Sequence, residues 1–345
     1  MLDVNNWYMA GWSTELTSRD LLSRKVAGLP IVLYRPTDAA ITTLLDQCCH
    51  RGYPLSKGEL TNGVIRCGYH GLMYGADGLC IKIPGQNKIP RAAKIRAFPT
   101  VEQDGIIWVW TGDEALADPR AIVRFSWHNS TDWHWAGRHV YYRAPQELIY
   151  DNLLDLTHVG YVHKSTIGGD EERHSTAEVQ WKREGNEVQV LRWMRGVSLP
   201  PAYRIISSFE GPVDRWQITR CNPGVVMIHT GAVPADSDPG DLEHGRSGYR
   251  GHSFQAITPE TETTSHYFWS VGIDRKNTSG ELLDAKIAST SETFEEDRAV
   301  IEMQWQRQSE VPRAYVDIAS DSPSLAVRRI LSENYEAGLR TPVSS

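Results

Sequence analysis

Cys48-Cys49-His50-Arg51-Gly52-Tyr53-Pro54-Leu55 and Cys67-Gly68-Tyr69-His70-Gly71-Leu72 are two loops of related design. Each joins one thiol to one imidazole at short spacing, Cys48-x-His50 and Cys67-x-x-His70, with sixteen residues between the loops. The four donors divide into a sulfur pair and a nitrogen pair. That is the ligand set of a Rieske 2Fe-2S centre, in which two Cys hold one iron and two His hold the other. Neutral imidazole leaves such a cluster less negative than four thiolates would, so it accepts electrons readily. A structural Cys2His2 zinc site is the alternative. Zinc motifs usually pair Cys with Cys and His with His, whereas both loops here mix them. The glycines and Pro54 suit tight loops that wrap a cluster and leave the His rims exposed.

A chain of 345 residues is long enough for two domains, each with its own core. Hydrophobic content of 40% and charged content of 23% place it among ordinary globular proteins. A net charge of −7 and no Lys/Arg run leave nucleic-acid binding without electrostatic support. The opening MLDVNNWY has neither a basic segment nor an apolar core, so no signal peptide is expected. No apolar stretch is long enough to span a bilayer, and no membrane partner is expected. Cys48 and Cys67 are claimed by the cluster; Cys49, Cys80 and Cys221 are expected as reduced thiols, which fits a cytoplasmic setting. Cys49 directly follows a ligand, and that geometry keeps it off the same iron.

Along the chain, PIVLYRP, AITTLLD, GVIRC and GIIWVW read as strands bounded by Gly, Pro and Asp. They predict an all-β domain over residues 1–115 with the metal loops at its tips. The polar stretch TGDEALADPRAI marks the boundary, and residues 116–345 form the second domain. A helix is predicted from about Glu147 to Val159, followed by a hairpin turning at Gly185-Asn186. GVVMIHTGAV and SHYFWSVGI continue the sheet, and a charged helix runs from about Glu281 to Gln308. The order predicts an α+β second domain.

The segment from Glu147 to His163 carries a second constellation. On a helix Asp151, Asp155 and His158 share one face, with Ile149, Leu153 and Leu156 opposite. Gly160 would loosen or end the helix and let His163 swing back beside His158. Two His and one carboxylate with open positions make the facial triad of non-haem Fe(II) oxygenases. An amphipathic helix carrying two ordinary His residues is the alternative.

The stretches RCCHRGYPLSKG, RCGYHGLMY, IPGQNKIP, IYDNLLDLTHVGYVH, VDRWQI, TPETETTSHYFW and FEEDRAVIE carry a resemblance to the Rieske non-haem iron oxygenases over essentially the whole length. The chain is most similar to the branch of O-demethylases and methyl-monooxygenases. The resemblance implies a 2Fe-2S Rieske cluster on Cys48, His50, Cys67 and His70, and a mononuclear Fe(II) on His158, His163 and Asp297. Asp297 enters through the resemblance alone, with Glu295 and Glu296 as the next candidates. It also implies that Asn152 lies close to the iron, and that Asp155 hydrogen-bonds a ligand His and reaches the cluster His70 of a neighbouring subunit. The implied fold is an all-β Rieske domain plus a catalytic domain with a curved antiparallel sheet and flanking helices of the helix-grip type. A homotrimer follows, closing head to tail. So does monooxygenation of an aromatic substrate with O2, at a methyl or O-methyl group. Cys49 departs from the commoner pattern, where Pro stands.

No G-x-G-x-x-G follows a strand, so electrons must come from a separate reductase carrying flavin and a ferredoxin-type cluster. His229 and Gln255 are the candidate polar contacts to substrate, and Arg204 or His252 could meet an acidic aromatic. His229 reads equally well as a satisfied sheet residue. Ring dioxygenation or angular attack stays open within the enzyme class. A pure electron carrier or a zinc-stabilised binding protein stays open outside it, though a carrier leaves two-thirds of the chain unexplained.

Overall fold

Short runs of β-branched and aromatic residues punctuated by Gly, Pro and Asp fold as strands along the first third of the chain. In a computed structural model, which describes all residues except 1, 18, 37–39, 169–170, 201–208, 244–247, 276–279 and 341–345, these are β1 (Trp7–Trp12), β2 (Leu22–Val26), β3 (Leu29–Tyr34), β4 (Thr42–Leu45), β5 (Glu59–Thr61), β6 (Val64–Arg66), β7 (Met73–Tyr74), β8 (Cys80–Lys82), β9 (Ala97–Phe98), β10 (Thr100–Gln103) and β11 (Ile106–Trp110). They form three sheets in the orders β1-β11-β10, β2-β3-β4-β9 and β5-β6-β7-β8. The four predicted runs supply β3, β4, β6 and β11. The metal loops leave β4 and β6, and Val32, Tyr34, Leu44, Leu55, Ile65, Leu72 and Tyr74 pack beneath them with the two ligand sulfurs. By contacts this unit gathers Met1–Arg124 with the Thr258–Glu262 segment and the chain from Asn334.

The second unit, Phe125–Ile257 with Thr263–Glu333, is built on seven strands: β12 (Trp133–Tyr142), β13 (Glu178–Glu184), β14 (Glu187–Val197), β15 (Val213–Asn222), β16 (Val225–Pro234), β17 (Tyr249–Thr261) and β18 (Thr264–Asp274). Their order is β12-β18-β17-β16-β15-β14-β13, so the chain returns to put its first strand beside its last. β13 and β14 form the expected hairpin, with Gly185 at φ +60° where an L side chain would be strained. Between β12 and β13 lie α1 (Gln146–Leu154), α2 (Val159–Val162) and α3 (Glu171–Ser175); α4 (Gly280–Glu310) and α5 (Ser322–Arg340) close the chain. Leu148, Ile149 and Leu153 of α1, Ile287, Phe294 and Ile301 of α4, and Val327, Ile330 and Leu331 of α5 share one core with Val190, Val226, Ile257 and Trp269 of the sheet.

One continuous helix from Glu147 to Val159 does not form. α1 ends at Leu154 because Asp155 is extended, at φ −103° and ψ 93°. Its carboxylate accepts the Thr157 N–H at 2.9 Å and caps a 3-10 turn over Leu156–His158. Asp gains more from that cap than from a helix interior. Gly160 then lies inside α2 instead of ending the helix, and α5 was not anticipated. No helix of the described residues is long and apolar enough to cross a membrane.

Candidate metal centres and substrate cavity

The two cluster loops close in the same way. In each, the ligand Cys donates its N–H to the carbonyl five residues on (Tyr53, Leu72), and the glycine four residues on (Gly52, Gly71) donates back to the Cys carbonyl. Both glycines sit at φ +72°, which a side chain would oppose. The loops bury Cys48 and Cys67 and leave His50 and His70 exposed, their rings 4.6 Å apart between centroids. Burial raises the Cys67 thiol above its usual range, partly opposed by the backbone N–H groups of Tyr69 and His70 aimed at the sulfur, with the neighbouring Cys48 pushing it up further. Two buried sulfurs, Cys67 flanked by backbone donors and Cys48 beside the Tyr74 hydroxyl, with two imidazoles together at the rim, fit a 2Fe-2S cluster held on one side by thiolates and on the other by imidazoles.

His158, His163 and Asp297 meet in the second unit, their donor atoms all within 4.8 Å of one another. The 3-10 turn places His158, whose Nδ1 donates to the Asp155 carbonyl at 2.6 Å. α2 ends at His163, whose Nδ1 donates to Glu296 Oε2 at 2.7 Å. Each bond leaves Nε2 with its lone pair inward, 3.4 Å (His158) and 3.1 Å (His163) from Asp297 Oδ1. Burial would raise the Asp297 carboxyl, but the two imidazoles, when protonated, outweigh it and hold it down at about 2. Among the described residues the buried His163 Nε2 has no hydrogen-bond partner. Three lone-pair donors converging on one point fit a cation. Asn152 Nδ2 donates to Asp297 Oδ1 at 2.8 Å and stands 3.5 Å from His158 Nε2, so it lies beside the metal position.

Two expectations need correcting here, and Glu296 finds a place of its own. The helix that would carry Asp151 and His158 on one face breaks at Asp155, and both Asp151 oxygens are taken by the Arg328 guanidinium. The Asp155 carboxylate does not touch the His158 ring, whose proton goes to the Asp155 carbonyl, and Ser320 Oγ donates to the carboxylate at 3.0 Å. Glu296 is turned to His163 Nδ1 and Thr166 Oγ1 and backs the ligand from behind.

A cavity of about 100 Å³ opens beside the three ligands. Leu153, Leu156, Val159, Ile228, Val271 and Phe294 give it an apolar wall, and Gln217, Thr230, Ser253, Gln255 and Lys286 add polar groups. On β16, strand alternation separates the candidates. Ile228 and Thr230 line it, while His229 between them does not and stands 3.9 Å from Glu243 Oε1, which favours its reading as a sheet residue. Gln255 lines it almost fully buried; its Nε2 donates to Ser253 Oγ at 2.6 Å and its Oε1 has no partner among the described residues. His252 also lines it, and Arg204 lies outside the described residues. Gln217 and Thr230 are directly opposite in the β15/β16 register and were missed, because facing requires knowing the phase of each strand. On α4, Lys286, Thr290, Thr293 and Asp297 recur at helical spacing, a signal the sequence does carry.

Comparison with known proteins agrees with this division. Residues 6–99 match the Rieske [2Fe-2S] domain, and residues 142–337 match the vanillate O-demethylase oxygenase C-terminal domain. The chain is 35% identical to the toluene-4-sulfonate monooxygenase system iron-sulfur subunit of Comamonas testosteroni, over 92% of each chain. It is 33% identical to a vanillate O-demethylase oxygenase subunit of a Pseudomonas species, over 96% of this chain and 94% of that one. Crystalline dicamba monooxygenase bound to dicamba superposes with a TM-score of 0.90 at 28% identity, over 99% of this chain and 100% of the other. Another crystal structure of that enzyme holds non-haem iron together with dicamba; its TM-score is 0.81 at 27% identity, over 99% of each chain.

Proposed function

Because the chain belongs to the Rieske non-haem iron oxygenases, as the oxygenase component of a monooxygenase, we propose that it hydroxylates a methyl or O-methyl carbon of an aromatic compound. The observation that carries this reading is the meeting of His158, His163 and Asp297 in the wall of a largely apolar cavity. Fe(II) held there supplies the oxidising chemistry of O2, and the 2Fe-2S cluster supplies electrons one at a time. The chain's own residues do the rest. Asp155 and Glu296 orient the two imidazoles, Asn152 steadies the Asp297 carboxylate, and the apolar wall holds the ring and excludes water. Gln255 offers its free acceptor to a polar substituent, a reading supported by its burial and the missing partner.

The oxygenase component draws its electrons from a separate component; we assign that role to a flavin and ferredoxin-type reductase, in the cytoplasm. The domains we propose are residues 1–115 for the cluster and 116–345 for the iron, with a homotrimer as the working unit. An oxygen-uptake screen of methylarenes and aryl methyl ethers with a surrogate reductase tests the substrate class, formaldehyde release marking O-demethylation. In Asp297→Ala the cluster spectrum should persist while mononuclear iron and substrate-coupled uptake disappear. Retention of both in that variant sinks the assignment.

A further inference from the structure

Resting on the reading that Cys48 is a cluster ligand, we propose that Cys49 is a positioning residue that raises the reduction potential of the 2Fe-2S centre by steering the proton of Tyr74. Tyr74 is fully buried on β7, and its Oη lies 3.1 Å from Cys48 Sγ and 3.2 Å from Cys49 Sγ. Cys49 also donates its backbone N–H to that oxygen at 3.2 Å. A tyrosine hydroxyl has one proton to give and two lone pairs to fill. The Cys49 N–H fills one lone pair, and the remaining donor within reach is the Cys49 thiol.

An iron-bound Cys48 is a thiolate and can only accept. The Tyr74 proton therefore has two sulfurs competing for it, one anionic and one a neutral thiol. The charge-assisted bond to Cys48 is the stronger. It also leaves the Cys49 S–H free to fill the second lone pair of Oη, so every group in the triangle is matched. The opposite arrangement leaves Cys48 Sγ without this donor and a buried lone pair empty. The third nearby thiol does not compete, because Cys80 Sγ is directed at the Lys82 carbonyl at 3.5 Å. Hydrogen bonds to cluster sulfurs favour the more negative, reduced state and raise the potential. Cys49 acts on the cluster through Tyr74, from a position where the bond to iron is closed to it.

The test is spectroelectrochemical titration of the intact, cluster-loaded protein as wild type, Tyr74→Phe, Cys49→Ala, Cys49→Ser and the double variant Tyr74→Phe/Cys49→Ala. Tyr74→Phe should shift the midpoint potential negative by the largest amount, and Cys49→Ala should give a smaller negative shift. Cys49→Ser keeps an O–H donor at the same place and should hold the potential at or above the wild-type value. Adding Cys49→Ala to Tyr74→Phe should change nothing further. A wild-type potential in Cys49→Ala, or an equal Cys49→Ala shift with and without the Tyr74 hydroxyl, overturns the proposal. If Cys49→Ala fails to hold its cluster, Cys49→Ser decides, and a negative shift there counts against it. Absence of a Rieske spectrum in the wild-type protein would instead remove the cluster assignment, before any variant is measured.

Discussion

Glu296 governs how firmly His163 is held. Its Oε2 takes the Nδ1 proton at 2.7 Å and is itself fixed by Thr166 Oγ1 at 3.1 Å. A carboxylate behind a ligand imidazole fixes the tautomer and makes the other nitrogen more basic, and losing such a partner costs about 10- to 100-fold in metal affinity. Glu296→Gln keeps an acceptor but removes the charge, so Fe(II) affinity should drop about tenfold while the cluster spectrum stays unchanged. Chelator competition reads this, and wild-type affinity in the variant would remove Glu296 from the iron's support. At this scale the local ligands were legible because Cys48-x-His50, Cys67-x-x-His70 and the His158/His163 pair are encoded within a few residues of one another. Asp297 was not, since it stands on α4 and only the fold delivers it. Read bare, it is one more carboxylate on a charged helix, and its burial is what distinguishes it from Glu295.

α2 and α3 form the mount for both iron histidines, and two of its features are testable. A Cβ at Gly160 would stand 2.8 Å from Glu171 Cα, a backbone atom that cannot swing away. Gly160→Ala should therefore push α2 and α3 apart, cost about 1–3 kcal/mol and lower mononuclear iron content. Full iron content with unchanged thermal stability would show the helices have room. His174 on α3 is buried; that burial, then the Arg215 and Arg192 charges, hold its imidazole down at about 3. Its Nδ1 accepts from Arg192 at 3.1 Å, which requires the neutral ring. An unfolded His takes up a proton near 6.5 and the folded one refuses it until about 3. The stabilisation is thus complete above pH 6.5 and is lost as pH falls through that window, at up to about 1.4 kcal/mol per pH unit. His174→Gln should be less stable at neutral pH but show a flatter acid limb in denaturant titrations; an unchanged slope would mean His174 charges without cost. The elements themselves were mostly legible. The break at Asp155 was not, because period and face cannot reveal that a carboxylate will cap Thr157 instead of continuing the helix. α5 was overlooked although Ser322-Pro323 and the spacing of Val327, Ile330 and Leu331 mark a start and an apolar stripe.

For the whole molecule the decisive surface is the stretch between α4 and α5. Tyr315, Val316 and Ile318 are 50%, 89% and 62% exposed in the single chain, an apolar run that solvent alone does not favour. Tyr315 and Val316, with Val300 and Leu325, line a groove of about 650 Å³ that also reaches Asp155 and His158. The cluster unit exposes His50, His70 and Tyr69. In the proposed homotrimer a head-to-tail ring would seat those rims in the groove of the next subunit and bring His70 to Asp155; a heterologous contact makes such a ring where its rotation closes. Val316→Asp places a charge in the centre of that contact without touching either metal centre, and a buried unpaired charge is costly. The variant should run at monomer mass in light scattering and keep both its cluster spectrum and its mononuclear iron. Electron passage from cluster to iron, followed by rapid mixing of reduced protein with oxygen and substrate, should slow by orders of magnitude. Asp155→Asn separates the route from the assembly: it should keep the trimer and both metals, since the carbonyl that holds His158 is unchanged, yet show the same kinetic defect, because the negative charge offered to His70 of the next subunit is gone. A monomeric Val316→Asp that reoxidises its cluster at the wild-type rate would confine electron transfer to one chain and leave the ring without a catalytic role.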